Sequence, residues 1–165
     1  MEAAKRLERQ QAIEVPRHPH DGRWGYWGAG ELRIQLIYRP AFGTGVCYEI
    51  RGDIGNLCLF RSRFCHRGEE LVVGHERVDA KPSLLYRVMR QFGEISIPLS
   101  MPRVDYGVLD GERFEFATFT GMSVMARFVW RISNAVPGWE RLVELTEGHI
   151  KDFDTRGIIE DDDSG

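Results

Sequence analysis

Residues 31–64 read ELRIQLIYRPAFGTGVCYEIRGDIGNLCLFRSRF, and their parity decides the fold. In 31–39, Leu32, Ile34, Leu36 and Tyr38 alternate with Arg33, Gln35 and Arg39. In 46–51, Val46, Tyr48 and Ile50 alternate with Cys47 and Glu49, and in 56–64 Leu57 and Leu59 share one parity. Alternation at period two marks strands with one buried face. A hairpin closed over 39–45 sets Tyr38 opposite Val46, Leu36 opposite Tyr48 and Ile34 opposite Ile50. A second, closed over 52–55, sets Ile50 opposite Leu57 and Tyr48 opposite Leu59. Directly opposed residues share a face, so one apolar face is expected to cross three antiparallel strands. Gln35 falls on the other face, where truncation is expected to cost only about a few tenths of a kcal/mol. That second face also holds Cys47, Cys58, Phe60 and Phe64, which predicts partial cover there.

Toward the C-terminus, 71–79 extends the meander by a fourth strand. Residues 82–92 then form a helix with Pro82 in its first turn and Leu84, Leu85, Val88, Met89 and Phe92 as its buried stripe. Residues 95–103 are a loop or an edge segment. A turn at Asp110 and Gly111 introduces strands 112–118 and 122–132. A three-residue loop of Phe119, Thr120 and Gly121 would set Phe116 opposite Val124 and Phe114 opposite Ala126. Pro137 opens a last helix to Phe153, buried through Trp139, Leu142, Val143, Thr146, Ile150 and Phe153. The tail, 154–165, is acidic and expected to be disordered. Toward the N-terminus, 16–30 reads as a structured loop rich in Pro, Gly and aromatics, and 2–13 as a short helix. The expected fold is α+β, one domain over 1–153. It has an antiparallel sheet of about six strands, made of a three- to four-stranded meander and a C-terminal hairpin, with two packed helices and a short N-terminal helix.

The chain has 165 residues, 42% hydrophobic and 28% charged, enough for a sizeable core without staples. No apolar run is long enough to span a membrane, and Met1 to Gln11 lack a secretory signal, so the expected compartment is the cytoplasm. Cys47, Cys58 and Cys65 are odd in number and without metal spacing, which predicts free thiols. The net charge of −3 is uneven: 1–67 carry 11 Lys/Arg against 7 Asp/Glu, and 135–165 carry 3 against 9. Lacking a concentrated basic face, the chain is not expected to bind nucleic acid.

Few residues suggest chemistry. His18, His20 and Asp21 are ligand types, but Pro19 restricts two neighbouring imidazoles from converging on one ion, so no metal and no cofactor is expected there. Cys65 would need a base; His66 points to the opposite strand face, and His75 could serve only by cross-strand pairing. His149 and Asp152, three apart on the last helix, read as a helix-surface contact rather than an acid–base pair. Gly43, Thr44 and Gly45 form a hairpin loop and lack the Lys and following helix of a phosphate loop. Arg23, Trp24, Tyr26 and Trp27 in a Gly-rich segment either plug the end of the core or anchor a partner, because Trp, Tyr and Arg dominate interface hot spots.

The run Leu109, Asp110, Gly111, the strand Arg113 to Phe116, a strand ending in Trp130, and Pro137 to Leu142 resemble a pattern in small uncharacterised bacterial α+β proteins. Some of these are similar to immunity proteins encoded beside toxins in bacterial competition systems. The resemblance covers about 45 residues of structural motifs and supplies no catalytic residues. It implies a cytoplasmic protein that binds another protein tightly. The sequence thus favours a non-enzymatic protein-binding module, most concretely an immunity-type protein covering the active site of a cognate toxin. Its expected contacts are Arg23, Trp24, Tyr26 and Trp27 and the acidic Glu160, Asp161, Asp162 and Asp163. The alternatives are a small metal-dependent hydrolase built on His18, His20 and Asp21, and a structural subunit of a phage or secretion assembly.

Overall fold

A computed structural model describes residues 30–67, 70–97, 112–120, 123–131 and 137–159; within them, 64–67, 70–75 and 123 are described as backbone alone. The alternating stretch 31–64 forms β1 (Leu32–Arg39), β2 (Thr44–Arg51) and β3 (Cys58–Arg67). Then come β4 (Glu70–Val78), α1 (Pro82–Gly93), β5 (Arg113–Thr120), β6 (Ser123–Arg131), α2 (Glu140–Asp154) and β7 (Ile158–Ile159). All seven strands join one antiparallel sheet in the order β6-β5-β1-β2-β3-β4-β7. The fold is α+β, as the patterning predicts, and the described residues form seven strands where about six are expected.

The first hairpin has the predicted register, with Tyr38 opposite Val46, Leu36 opposite Tyr48 and Ile34 opposite Ile50. The second is two residues off, with Ile50 opposite Leu59 and Tyr48 opposite Arg61. The cause is the turn. Gly52 sits at φ 110°, where a Cβ would come within 2.3 Å of the Asn56 carbonyl oxygen, and Asn56 N–H bonds to the Asp53 carbonyl at 2.9 Å. The turn therefore consumes the chain through Leu57, and β3 starts at Cys58. A shift of two preserves parity, so Leu57 and Leu59 still lie in the core.

The β5–β6 hairpin differs by four residues from the expected pairing. Phe116 faces Phe128 and Phe114 faces Trp130, while Thr118 faces Ala126 and Phe119 faces Val124 across an irregularity. The strands run on through Thr120 and Ser123. This register stacks Phe114 on Trp130 (centroids 6.0 Å apart) and Phe116 on Phe128 (6.2 Å). The connection between the strands is thus shorter than the three-residue loop expected, the irregularity between Thr118 and Phe119 takes up part of the shift, and Val124 is left exposed.

Both helices lie on the face that carries Ile34, Leu36, Tyr48, Ile50, Leu59, Phe114 and Phe116. The α1 stripe is as predicted, with Leu85, Val88 and Phe92 buried and Leu84 and Met89 at its margin. The second helix begins at Glu140 rather than Pro137, because Gly138 sits at φ 88°, outside helical space. Leu145 joins the predicted buried set on α2. Disorder expected from residue 154 does not hold through 159. Asp154 ends α2, and Ile158 and Ile159 pair with Val78 and Arg77. The expected N-terminal helix and the turn at 110–111 lie outside the described residues.

Candidate functional site

Strand alternation leaves a second face to the sheet, and its chemistry differs from the first. Three cross-strand rows define it. Glu49, Gln35, Ala117 and Arg127 stand in line over β2, β1, β5 and β6. Cys47, Ile37, Glu115 and Val129 form the next row, and Arg39, Arg113 and Arg131 the third. An irregularity between Leu32 and Ile34 turns Leu32 toward this face, where it clusters with Ala117 and Phe119.

Two buried carboxylates organise the face. The Glu115 side chain is only 2% exposed and is ringed by guanidinium groups. Its Oε1 accepts from Arg39 Nε at 3.3 Å and lies 3.0 Å from Arg113 Nη2. Its Oε2 accepts from Arg127 Nε at 3.2 Å and from Arg127 Nη2 in a close contact. Glu49 accepts from Arg51 Nε at 2.8 Å and from Gln35 Nε2 at 3.1 Å. Burial pushes the Glu49 carboxyl up, and Arg51 and Gln35 pull it partly back. Burial likewise lowers the Arg39 guanidinium against the pull of Glu115. Gln35, where truncation is expected to cost little, is thus a buried donor to a buried carboxylate.

Arg39, Arg113 and Arg127 contact the one carboxylate, and Arg131 stands across from Arg113. The Arg113 Nε is buried without a hydrogen-bond partner. Arg131 makes no hydrogen bond or ion pair among the described residues. Arg113 and Arg127 keep 39% and 41% of their side-chain surface open beyond Glu115. Among the described residues β6 pairs with β5 alone, and it exposes Val124, Met125 and Val129. Guanidinium groups thus stand beside exposed apolar side chains on this strand.

Other sites carry less. An open pocket of about 430 Å³ at the start of α1 is lined by Asp79, Lys81, Ser83, Leu84, Arg87 and Arg156. Arg156 is already held by Asp152 at 2.8 Å. His149 pairs with α1 rather than with Asp152: its Nε2 lies 3.0 Å from Gln91 Oε1, with the Phe92 and Phe153 rings each 5.7 Å away. Burial lowers its pKa. Cys47 and Cys58 are free thiols, as expected, and burial pushes Cys47 well up, so it stays a neutral thiol at physiological pH. The register pairs Cys65 with Val72 and His75 with Ser62, not His75 with Cys65. No group of three or more metal-ligating side chains occurs among the described residues. The residues singled out from the sequence, His18, His20, Asp21, Arg23, Trp24, Tyr26, Trp27 and Glu160 to Asp163, lie outside the described residues.

Sequence reasoning missed the arginine cluster. The available signal was parity: Arg113 and Glu115 share one parity on β5, and Arg127, Val129 and Arg131 share one on β6. No family model, curated protein or solved structure matches the chain. No described helix is long and apolar enough to cross a membrane.

Proposed function

We propose that the chain is a non-enzymatic protein-binding module that binds through β6 and the adjoining second face of the sheet. The carrying observation is the set of three arginines on the buried Glu115, with Arg131 across from one of them, beside exposed Val124, Met125 and Val129 on a strand that pairs with β5 alone among the described residues. Arginine is enriched in interfaces and among hot spots because its planar fork makes several directed bonds. A buried carboxylate that orients three of them lowers the entropy lost when a partner docks. In its most concrete form the module is a cytoplasmic immunity-type protein that covers the active site of a cognate bacterial toxin; the resemblance of the C-terminal part supports that form. Arg23, Trp24, Tyr26 and Trp27 and the acidic run from Glu160 to Asp163 are proposed as additional contacts.

The test is affinity capture from the native host with the wild-type chain and with an Arg127→Glu, Arg131→Glu double variant. Mass spectrometry should identify a saturable partner on the wild type that is absent from the variant, while both chains melt within a few degrees of each other. The same proteins on both baits, or none on the wild type, would overturn the assignment.

A further inference from the structure

The guanidinium groups along β6 specify what kind of partner fits. We infer that β6 accepts an added strand from a partner protein, and that this strand carries carboxylates at two positions separated by an apolar residue. The inference rests on the protein-binding reading above and deepens it.

Three observations converge on this surface. First, 126–131 of β6 run in regular register with β5 and pair with nothing else among the described residues. Such a row of unpaired backbone N–H and C=O groups is a template for strand addition. Second, Arg127, Val129 and Arg131 occupy alternate positions and therefore share the second face. An added strand lies about 4.8 Å away, with same-face side chains about 6.8 Å apart along it. Acidic residues opposite Arg127 and Arg131, with an apolar one opposite Val129, would match that spacing. Third, like charges adjoin on this face. Arg39, Arg113 and Arg131 stand directly across from one another on three strands, an arrangement of like charges that is unfavourable unless neutralised. Glu115 neutralises part of it, yet the Arg113 Nε remains buried without an acceptor. A carboxylate arriving beside Arg131 would be within reach of that neighbour.

A nucleic acid would also supply anions, but it has no amide backbone to continue the ladder, and Val129, 38% exposed between the two arginines, offers it nothing. Glu115 acts as a positioning residue in this scheme, since it holds Arg113 and Arg127 without facing the partner.

The experiment uses the full ¹⁵N-labelled chain and two blocked heptapeptides, Thr-Glu-Thr-Val-Thr-Glu-Thr and the same peptide with Lys in place of Glu. Titration of the acidic peptide should shift the backbone amides of 126–131 and the side-chain Nε–Hε signals of Arg113, Arg127 and Arg131. It should protect alternate β6 amides from exchange, and bind at least about 10-fold more tightly than the Lys peptide. Arg131→Ala, at a partly exposed position, should weaken binding about 5-fold or more without unfolding the chain. Glu115→Gln should weaken it too, with the Arg113 and Arg127 Nε signals broadening in the free protein. The inference is overturned if both peptides bind alike, if no saturable shift appears, or if the shifts fall on Lys81 and Arg87 instead. It is likewise overturned if pyrophosphate or a short DNA duplex displaces the peptide and reproduces its shifts at lower concentration. A failed peptide titration together with a host partner lost from the Arg127→Glu, Arg131→Glu bait would retain protein binding and remove strand addition. Failure of both would remove the two together.

Discussion

The two faces of this sheet use the same strands and the same alternation, yet they are held by different forces. The first face is apolar from Phe114 and Phe116 through Leu36, Tyr48 and Leu59, and two helices close over it with Leu85, Val88, Phe92, Leu142 and Phe153. Its cohesion is non-directional and scales with the area removed from water. The second face buries Glu49, Glu115 and Gln35 among its apolar residues, and every one of them has a directed partner. A buried carboxylate persists only where guanidinium or amide donors reach it. The first face therefore depends on filled volume, whereas the second depends on its hydrogen bonds.

Truncations should separate these regimes, and the largest effect belongs to the first face. Leu36→Ala or Ile50→Ala should lower stability by about 2–5 kcal/mol in denaturant melts, through lost burial plus the cavity left behind. A swap that keeps volume, Leu36→Met, should cost less than about 1.5 kcal/mol. On the second face the volume-conserving change should be the harmful one. Glu115→Gln keeps the shape and removes the charge that three arginines share. Because two of those arginines are more than a third exposed, the expected loss is about 2 kcal/mol, below that of a fully buried pair. Glu115→Gln costing less than Leu36→Met would abolish the distinction between the faces.

A smaller effect is expected at Gln35, where Ala leaves the buried Glu49 with one donor fewer. The expected cost is about 1–2 kcal/mol, not the few tenths that a solvent-facing position would show. Equilibrium urea melts of Gln35→Ala decide between the two values.

The smallest effects should appear in the pH dependence, with opposite signs on the two sides. His149, packed between Phe92 and Phe153 in the helix layer, has its folded pKa lowered by burial from 6.5. Below 6.5 the unfolded chain binds that proton first. The His149 contribution is thus present above about pH 6.5 and is lost as pH falls through the folded pKa. Glu49 has its folded pKa raised by burial from 4.5, so its contribution is full below 4.5 and is lost as pH rises through the folded value. Melts from pH 4 to 8 should show His149→Gln flattening the decline on acidification from neutrality. Glu49→Gln should remove the opposing slope at the acid end. Unchanged profiles in both variants would mean that neither burial is felt in solution.

Much of the first face was legible because its information is local. Parity assigned Ile34, Leu36, Tyr38, Val46, Tyr48 and Ile50 to one side, and a short loop fixed the first hairpin register. The α1 stripe followed from helical spacing. The second register was off by two because Gly52 and its neighbours make a turn longer than the glycine spacing implies. The β5–β6 register was off by four because the strands continue to Thr120 and Ser123, across a shorter connection and an irregularity after Thr118 that parity alone does not reveal.

The arginine cluster was not legible for a different reason. Each strand's own sequence determined which of its residues share a face, since side-chain direction alternates with the backbone whatever lies alongside. Which strand lies alongside is a non-local outcome. Only the tertiary structure set β5 next to β1, which brings Glu115 to Arg39 across 76 residues of chain. Any strand with an apolar face could have added at that edge by alternation alone. The choice of β5 came from how Phe114 and Phe116 fill the space between β1 and the two helices, and the charges on the reverse side were carried into contact with it.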